Sequence, residues 1–382
     1  MRNSAISYLL TSYQKDTQMA HALSIRQTGK AEMAYVGKTP WHKLGQQLPP
    51  GASLEVWSQA AGMDWMIESS PVQFTVNGKM HEMPDRVVLY RSDNQFALSS
   101  VSRWYKPVHP GEVLGFFRDL TDAAGFTLET AGTLFGGKRL WALASIGAEA
   151  AVADPRDKMK GYLLLSTACD GSMSTEARYT TVRVVCNNTL GFARNSGTKA
   201  NVKVTHSATF DPAAVKRELG IETAKAQFTE AMGQFRQMAE TRLTEAETID
   251  ATANLFVPAF ADMDKGERTK LLEKTSGPIF RVDELAIDHK ALGSDLAGTD
   301  GTVWGWLNAV TQYVDHEARA QSQDTRLNSA WYGKGAEIKN RALETATRYV
   351  SGLERTRAKD EALGITPKGA SVLDSILARA AA

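Results

Sequence analysis

The densest group of side chains that could do chemistry lies in residues 163–190, LLLSTACDGSMSTEARYTTVRVVCNNTL. An Asp-Gly pair beginning at Asp170 indicates a hairpin turn between two β-rich runs. On the second predicted strand, Arg178 and Thr180 share one face and Arg183 lies on the other. Because a guanidinium fork fits a carboxylate or a phosphate, Arg183 among valines predicts either an internal ion pair or an anion-binding side chain.

The same run ends in polar side chains that could bind backbone or ligand, beginning with Asn187 and Asn188. Cys186 precedes them on the predicted strand. A cysteine nucleophile needs a neighbouring base, and packing in the core is the favoured interpretation of this thiol. Cys169 is the other cysteine, and two in a chain of 382 residues are not a disulfide framework.

Near the start of the chain, the loop sequence TPWHKLG carries Trp41 and His42. An exposed Trp41 with a neighbouring histidine could stack a base or another ring. The alternative is a loop held in place by a buried tryptophan, whose large apolar ring contributes to the core.

A third group lies in WGWLNAVTQYVDHEARA and GKGAEIKNRAL. The polar candidates there are Asp315, His316, Lys334 and Lys339. Asp315 and His316 are adjacent on a predicted helix, so they point to different faces. The Gly-Lys-Gly around Lys334 could present backbone N–H groups and an ammonium to an anion at a helix start. No two histidines are spaced i,i+4, and neither a metal site nor a cofactor is predicted.

Signatures of common enzymes are missing from the sequence: GxxxxGK[ST], a GxGxxG after a strand, HExxH and GxSxG. Catalytic residues are therefore unidentified. One alternative is still an enzyme of unknown class acting on nucleic acid, using His42, Asp170 and the pair Asp315-His316.

Charge is distributed unevenly along a chain whose net charge is only +1. Residues 154–206 hold eight Lys or Arg and four Asp or Glu, whereas residues 211–300 hold 11 basic and 17 acidic residues. A basic sheet can bind nucleic acid, but the two segments could equally face each other. The predicted phosphate contacts are Arg178, Arg183, Arg194, Lys199 and Lys203, and the predicted stacking residues are Trp41 and Tyr179.

The apolar periodicity changes from about two to about 3.6 residues near Asp211, which predicts an α+β fold. We expect an antiparallel β-rich N-terminal half with one or two helices, followed by an α-helical C-terminal half. The expected boundaries are a loosely packed extension at 1–18, a β-rich domain at 19–208, a helical region packed on it at 209–365, and an Ala-rich tail at 366–382. A mixed stretch at 276–301 is expected to interrupt the helices. No apolar run reaches the ~20 residues that cross a bilayer, so we expect a cytoplasmic protein that does not bind membranes.

Three stretches together, TPWHKLG, the central run at 163–190 and NAVTQYVDH with GKGAEIKNRAL, resemble the phage/plasmid-like protein family known by a domain of unknown function, number nine-three-two. The resemblance covers roughly Met19 to Val350, and the extension before Met19 departs from the family pattern. It implies a protein of prophages, plasmids and other mobile elements. It carries over no active site, because the family has no established catalytic mechanism.

Mobile elements often encode single-strand DNA annealing proteins built on a curved antiparallel sheet with a basic strand region, often assembled as rings. By analogy with that plan, the preferred hypothesis is a DNA-binding accessory protein acting on single strands in recombination, replication or plasmid establishment. Single-stranded DNA and a second copy of the chain are the candidate partners. Besides the enzyme, the alternative is a non-catalytic interaction protein that counters a host defence factor.

Overall fold

The structure is a computed structural model, and it describes residues 26, 29–37, 45–185, 188–191, 201–206, 210–219, 224–257, 265–321 and 323–352. Among the predicted features, Trp41, His42, Cys186, Asn187, Arg194 and Lys199 lie outside the described residues, as do the extension at 1–18 and the tail at 366–382. The proposed domain boundaries stay predictions.

The described strands belong to two sheets. They are β1 Met33–Val36, β2 Gln46–Leu48, β3 Ile67–Val76, β4 Lys79–Arg91, β5 Ala97–Ser102, β6 Thr127–Leu134, β7 Arg139–Ala151, β8 Lys158–Ala168, β9 Thr175–Arg183, β10 Asn188–Gly191 and β11 Asn201–Val204. The larger sheet has the order β10-β9-β8-β7-β6-β1-β2, with β11 also pairing with β9, and the smaller has the order β3-β4-β5. Every described pairing is antiparallel except that of β1 with β2.

The helices are concentrated in the C-terminal half. They are α1 Leu54–Ala60, α2 Pro110–Ala124, α3 Pro212–Leu219, α4 Ala224–Glu240, α5 Glu245–Phe256, α6 Lys265–Ile287, α7 Val303–Gln312, α8 Gln323–Tyr332 and α9 Lys334–Val350, with a π-helical turn at Tyr313–Glu317. The predicted mixed fold, with strands early and helices late, is confirmed in this form. The predicted switch near Asp211 is also confirmed, because the Asp211 carboxylate accepts hydrogen bonds from the first backbone N–H groups of α3.

The larger sheet is covered on both faces. One face carries Leu140, Ala142, Leu163 and Leu165, which belong to the main core together with apolar residues of α2, α4 and α7. The other face carries a smaller cluster that includes Trp141, on which Trp331 of α8 packs edge to face. Two helix layers therefore enclose most of this sheet.

Two predictions of element boundaries from the sequence are wrong. The strand predicted to continue through Cys186 ends at Arg183, and β10 pairs back against β9 with Asn188 opposite Arg183. Val184 and Val185 lie in the turn that follows β9, so tertiary pairing overrides the strand preference of these β-branched residues. The interruption expected from residue 276 onwards starts later, because α6 continues through Pro278 to Ile287. Buried contacts of that helix, at Val282 and Leu285, outweigh the local preference of proline.

Candidate nucleic-acid interface

Most of the described cations in the basic strand segment, residues 154–206, form ion pairs with carboxylates. Most partners are local or lie just upstream of the segment. The pairs are Arg156 with Asp154 at 2.8 Å, Lys158 with Glu149 at 2.9 Å, Lys160 with Glu149 at 3.9 Å, Arg178 with Glu176 at 3.7 Å and Arg183 with Asp157 at 2.6 Å. The excess of positive charge counted along the sequence therefore does not form a continuous basic groove on the described sheet.

Two of the predicted contacts, Tyr179 and Arg183, point into the core. Each is 1% exposed. Arg183 donates to both oxygens of Asp157, at 2.6 and 2.8 Å, and to the carbonyl of Leu292 at 3.1 Å. Of the two interpretations of Arg183, the internal ion pair is the one that matches these contacts. Its assignment as a phosphate contact is corrected, because its N–H groups donate to partners inside the protein. The prediction that Tyr179 stacks on a base is also corrected, because its ring is buried.

Arg178 and Lys203 lie on the sheet face that α8 partly covers. Arg178 donates to the carbonyl of Trp331, and its guanidinium lies 5.5 Å from the ring centroid of Tyr332. Burial raises the pKa of the Tyr332 hydroxyl to about 12, so this tyrosine stays neutral. Lys203 is exposed on β11, in register with Glu176 on β9. Arg178 thus holds α8 to the sheet, and of these two only Lys203 is fully exposed.

The polar residues of the third sequence group serve the packing of helices. Lys339 donates to Asp315 at 2.6 Å, and both side chains are buried. Burial lowers the pKa of Lys339, while Asp315 opposes that shift. Lys334 is exposed at the first position of α9, and the backbone carbonyl of His316 accepts from Arg326 at 2.7 Å. The buried pair joins the π-helical turn to α9 and leaves Asp315 no solvent-facing role as an acid or base.

Asp170 lies where predicted, in the turn between β8 and β9, and several elements meet there. The Asp170 side chain accepts from the N–H of Ser172 at 2.9 Å, and its carbonyl accepts from Ser99 of β5 at 3.3 Å. Tyr105 donates to the carbonyl of Ala168 at 2.7 Å and stacks on His206 at 4.5 Å. These bonds fix the chain after β5, the β8–β9 turn and the end of β11 to one another.

Several cations and one tryptophan lie on the elements that meet at this end of the sheet. We call this group the turn-end surface: Arg86, Arg103, Trp104, Lys106, Lys138 and Arg139. Trp104 is 69% exposed, and the Arg103 guanidinium lies 5.8 Å from its ring centroid. Arg139 donates to the Ser172 hydroxyl at 3.0 Å, and burial lowers the pKa of its guanidinium.

The cations of the turn-end surface differ from those of the basic strand segment in their partners. Within the described residues, no carboxylate forms an ion pair with Arg86, Arg103, Lys138 or Arg139. Arg86 donates to Ser100, and Arg103 donates to the carbonyl of Pro84 at 3.3 Å. Arg86, Arg103 and Lys138 therefore carry positive charge that no described ion pair offsets, which is the property that a phosphate-binding surface requires. Arg139 differs, because the Asp170 carboxylate attracts its guanidinium.

Sequence reasoning did not find the turn-end surface. Its local signal is Arg103-Trp104-Tyr105-Lys106, two aromatic rings flanked by two cations directly after β5. Counting charge over a long window hides four such residues, and a tryptophan is usually assigned to the core. Arg86, Lys138 and Arg139 join them only through folding.

A shallow hollow, a small cavity and one buried thiol are further features of the described residues. A shallow hollow of about 350 Å³ is lined by residues of α1, α2 and β6, including Glu55 and Arg118. A cavity of about 40 Å³ beside Arg178 and Lys339 has room for only a few waters. Burial raises the pKa of Cys169 to about 12, which keeps this thiol protonated and unreactive.

Metal-ligand clusters and membrane-spanning helices are both missing from the described residues. No group of three or more His, Cys, Asp or Glu side chains in them could hold a metal ion. None of their helices combines the length and the apolar character needed to cross a membrane.

Comparison with known proteins gives one match. A family model described as Domain of unknown function (DUF932) matches residues 97–331, from β5 to α8 and including most of the turn-end surface. A search of the curated proteins and a search of the solved structures each found no match. Because the matched segment is more than half of the 382 residues, the chain belongs to the family described as Domain of unknown function (DUF932).

Proposed function

We propose that the protein binds single-stranded DNA through the turn-end surface, as an accessory protein of a mobile element acting in recombination, replication or plasmid establishment. The mobile-element setting comes from the family resemblance. The observation that carries the binding proposal is Trp104, 69% exposed beside Arg103, on a surface where Arg86 and Arg103 form no ion pair with a carboxylate of the described residues.

The chemistry of this surface suits an unpaired strand better than a duplex. Single-strand binding proteins combine cations that follow the backbone with aromatic rings on which bases stack. An exposed indole can stack only on a base that is not already stacked in a helix. Arg103 can contact a phosphate while its guanidinium stays over the Trp104 ring. Because stacking accepts any base, the proposal implies weak sequence preference.

Replacing the tryptophan tests the stacking part of the proposal. Trp104→Ala is expected to weaken the binding of a labelled oligonucleotide by about 1–3 kcal/mol, the usual effect of removing one stacking ring. Phe280→Ala is the matched control, because Phe280 is also an exposed aromatic, at 43%, but lies on α6. Fluorescence anisotropy measures both. Equal affinities for the two variants would contradict a role for Trp104.

Replacing the cations tests the phosphate contacts. For three contacts, the slope of log affinity against log salt is expected to be about −2 on single strands, at roughly −0.7 per contact. Arg103→Ala with Arg139→Ala should flatten that slope, whereas Arg156→Ala should not, because Arg156 is already paired with Asp154. Folded protein that binds no oligonucleotide at low salt would overturn the proposed function.

A further inference from the structure

The hairpin of β3 and β4 continues well beyond the body of the protein. Its register shifts between Pro71 and Val72, and we call the part beyond this shift, residues 72–83, the distal arm. Every residue of the distal arm is exposed except the half-buried Val72. A two-stranded ribbon exposed on both faces has little stability of its own in water. Contact with another protein surface would therefore stabilise the distal arm.

One face of the distal arm carries a row of apolar side chains, with Lys79 at its end beside Val76. Val72, Phe74 and Val76 alternate along β3 on this face, and Met83 and His81 lie beside them on β4. Phe74 is 47%, Val76 48% and Met83 39% exposed, and His81 stacks on Phe74 at 5.5 Å. Contiguous apolar side chains at the surface of a soluble domain mark interaction sites.

The outer edge of β3 is open as well. β3 is the edge strand of its sheet, and no described strand pairs with that edge. Proteins protect such edges with charged residues or prolines. Residues 72–76 contain neither, since the nearest proline is Pro71 at the register shift. The edge is therefore competent to pair with another strand.

The sequence of that edge is symmetric about its centre. Residues 72–76 read Val-Gln-Phe-Thr-Val, apolar and polar in strict alternation around Phe74. In an antiparallel pair of two such strands centred on Phe74, Val72 meets Val76 of the second copy, and Gln73 meets Thr75. Each apolar residue then faces an apolar one, and no like charges meet. A surface that complements itself in this way is what a two-fold symmetric contact requires.

The hydrogen-bonding phase of β3 fits the same register. Asn77 and Gly78 both have positive φ, 49° and 75°, as in a two-residue type I′ turn. The pair flanking such a turn, Val76 with Lys79, is hydrogen-bonded, and the alternation of the ladder then directs the N–H and C=O groups of Gln73 and Thr75 outward. These are the groups that a second strand centred on Phe74 would engage.

We infer that two copies of this chain associate through the distal arm, with β3 paired antiparallel to β3 of the second copy around a two-fold axis at Phe74. The two arms then form one four-stranded sheet. Its central row is His81, Phe74 and the same two residues of the second copy, so the exposed aromatic face becomes a ladder of four rings. This assembly is independent of the proposed DNA binding.

The two-fold axis at Phe74 gives a direct test, because that residue faces itself. By sedimentation velocity, the full chain is expected to be a dimer, and Phe74→Lys and Phe74→Glu are each expected to be monomers through like-charge repulsion. An equimolar mixture of the two variants should restore a dimer, since opposite charges then meet across the axis. Restoration also shows that neither variant is merely unfolded.

Two further variants separate the edge from the rest of the hairpin. Thr75→Pro removes an outward N–H without touching the hydrogen bonds to β4, and it should also give a monomer. Met80→Lys changes an exposed apolar residue on β4, on the opposite face, and should leave the dimer intact. A monomeric wild-type chain, or Phe74→Lys and Phe74→Glu variants that stay dimeric alone or stay monomeric when mixed, would overturn the inference.

Discussion

Asp157→Asn is expected to destabilise the folded protein by ~3–5 kcal/mol, the typical cost of leaving a buried charge without its partner. Asp157 is fully buried and Arg183 is 1% exposed. The amide would keep the shape of the carboxylate but not its charge, so the guanidinium would be left uncompensated in the core. Urea unfolding, with the slope checked for two-state behaviour, measures the change.

The cost is high because three parts of the fold meet at this carboxylate. Arg183 comes from the end of β9, and Trp304 at the start of α7 donates its indole N–H to Asp157 at 2.9 Å. The third donor of Arg183 reaches the carbonyl of Leu292, in the segment between α6 and α7. Loss of the carboxylate therefore weakens the junction between the larger sheet and the C-terminal helices.

A second substitution distinguishes loss of the pair from general damage. In Arg183→Met with Asp157→Asn, the unpaired charge is gone, and the double variant should lose less stability than the two single variants summed. Arg156→Ala is the control for an ordinary surface pair, and its unfolding curve should stay close to that of the wild type. Additive single effects would show that Arg183 and Asp157 are not coupled.

Arg183 also shows which part of a buried site the sequence can predict. An arginine in mid-strand between valines predicted either an ion pair or an anion site, and the structure supplies a carboxylate. The identity of that carboxylate was not predictable, because Asp157 is 26 residues away and meets Arg183 only when β8 and β9 pair. The pattern of neighbouring residues along the strand indicates that Arg183 needs a partner. Which residue becomes that partner depends on how the strands pair in the folded protein.

The order of strands and helices was predictable from the same kind of local signal. Ser53 accepts from Val56 at the start of α1, and the Asn77-Gly78 turn joins β3 to β4, as serine before a helix and Asn-Gly between two strands usually do. The distribution of charge was not predictable. The excess in residues 154–206 is reduced by Glu149, which lies outside the counted window, and the exposed Trp104 looks in sequence like any core tryptophan.

The second large effect concerns Asp283 on α6. Its Oδ1 atom is shielded from solvent and has no hydrogen-bond partner among the described residues. Burial raises the pKa of this carboxyl to about 7, and a hydrogen bond with Thr252 of α5 opposes the shift. In the unfolded chain, the pKa of an aspartate is about 4. The folded protein therefore holds a proton that the unfolded chain releases, and stability falls as the pH rises from about 4 to about 7.

Asp283→Asn replaces the carboxyl with a neutral group, so it is expected to remove this loss. At about pH 8 the variant should be more stable than the wild type by ~2–4 kcal/mol, and near pH 4 the two should be similar. Asp85→Asn is the control, because Asp85 is exposed and its replacement should not change the pH dependence. Thermal unfolding at the two pH values measures the difference. An equal effect of Asp283→Asn at both pH values would show that folding does not raise the pKa of this carboxyl.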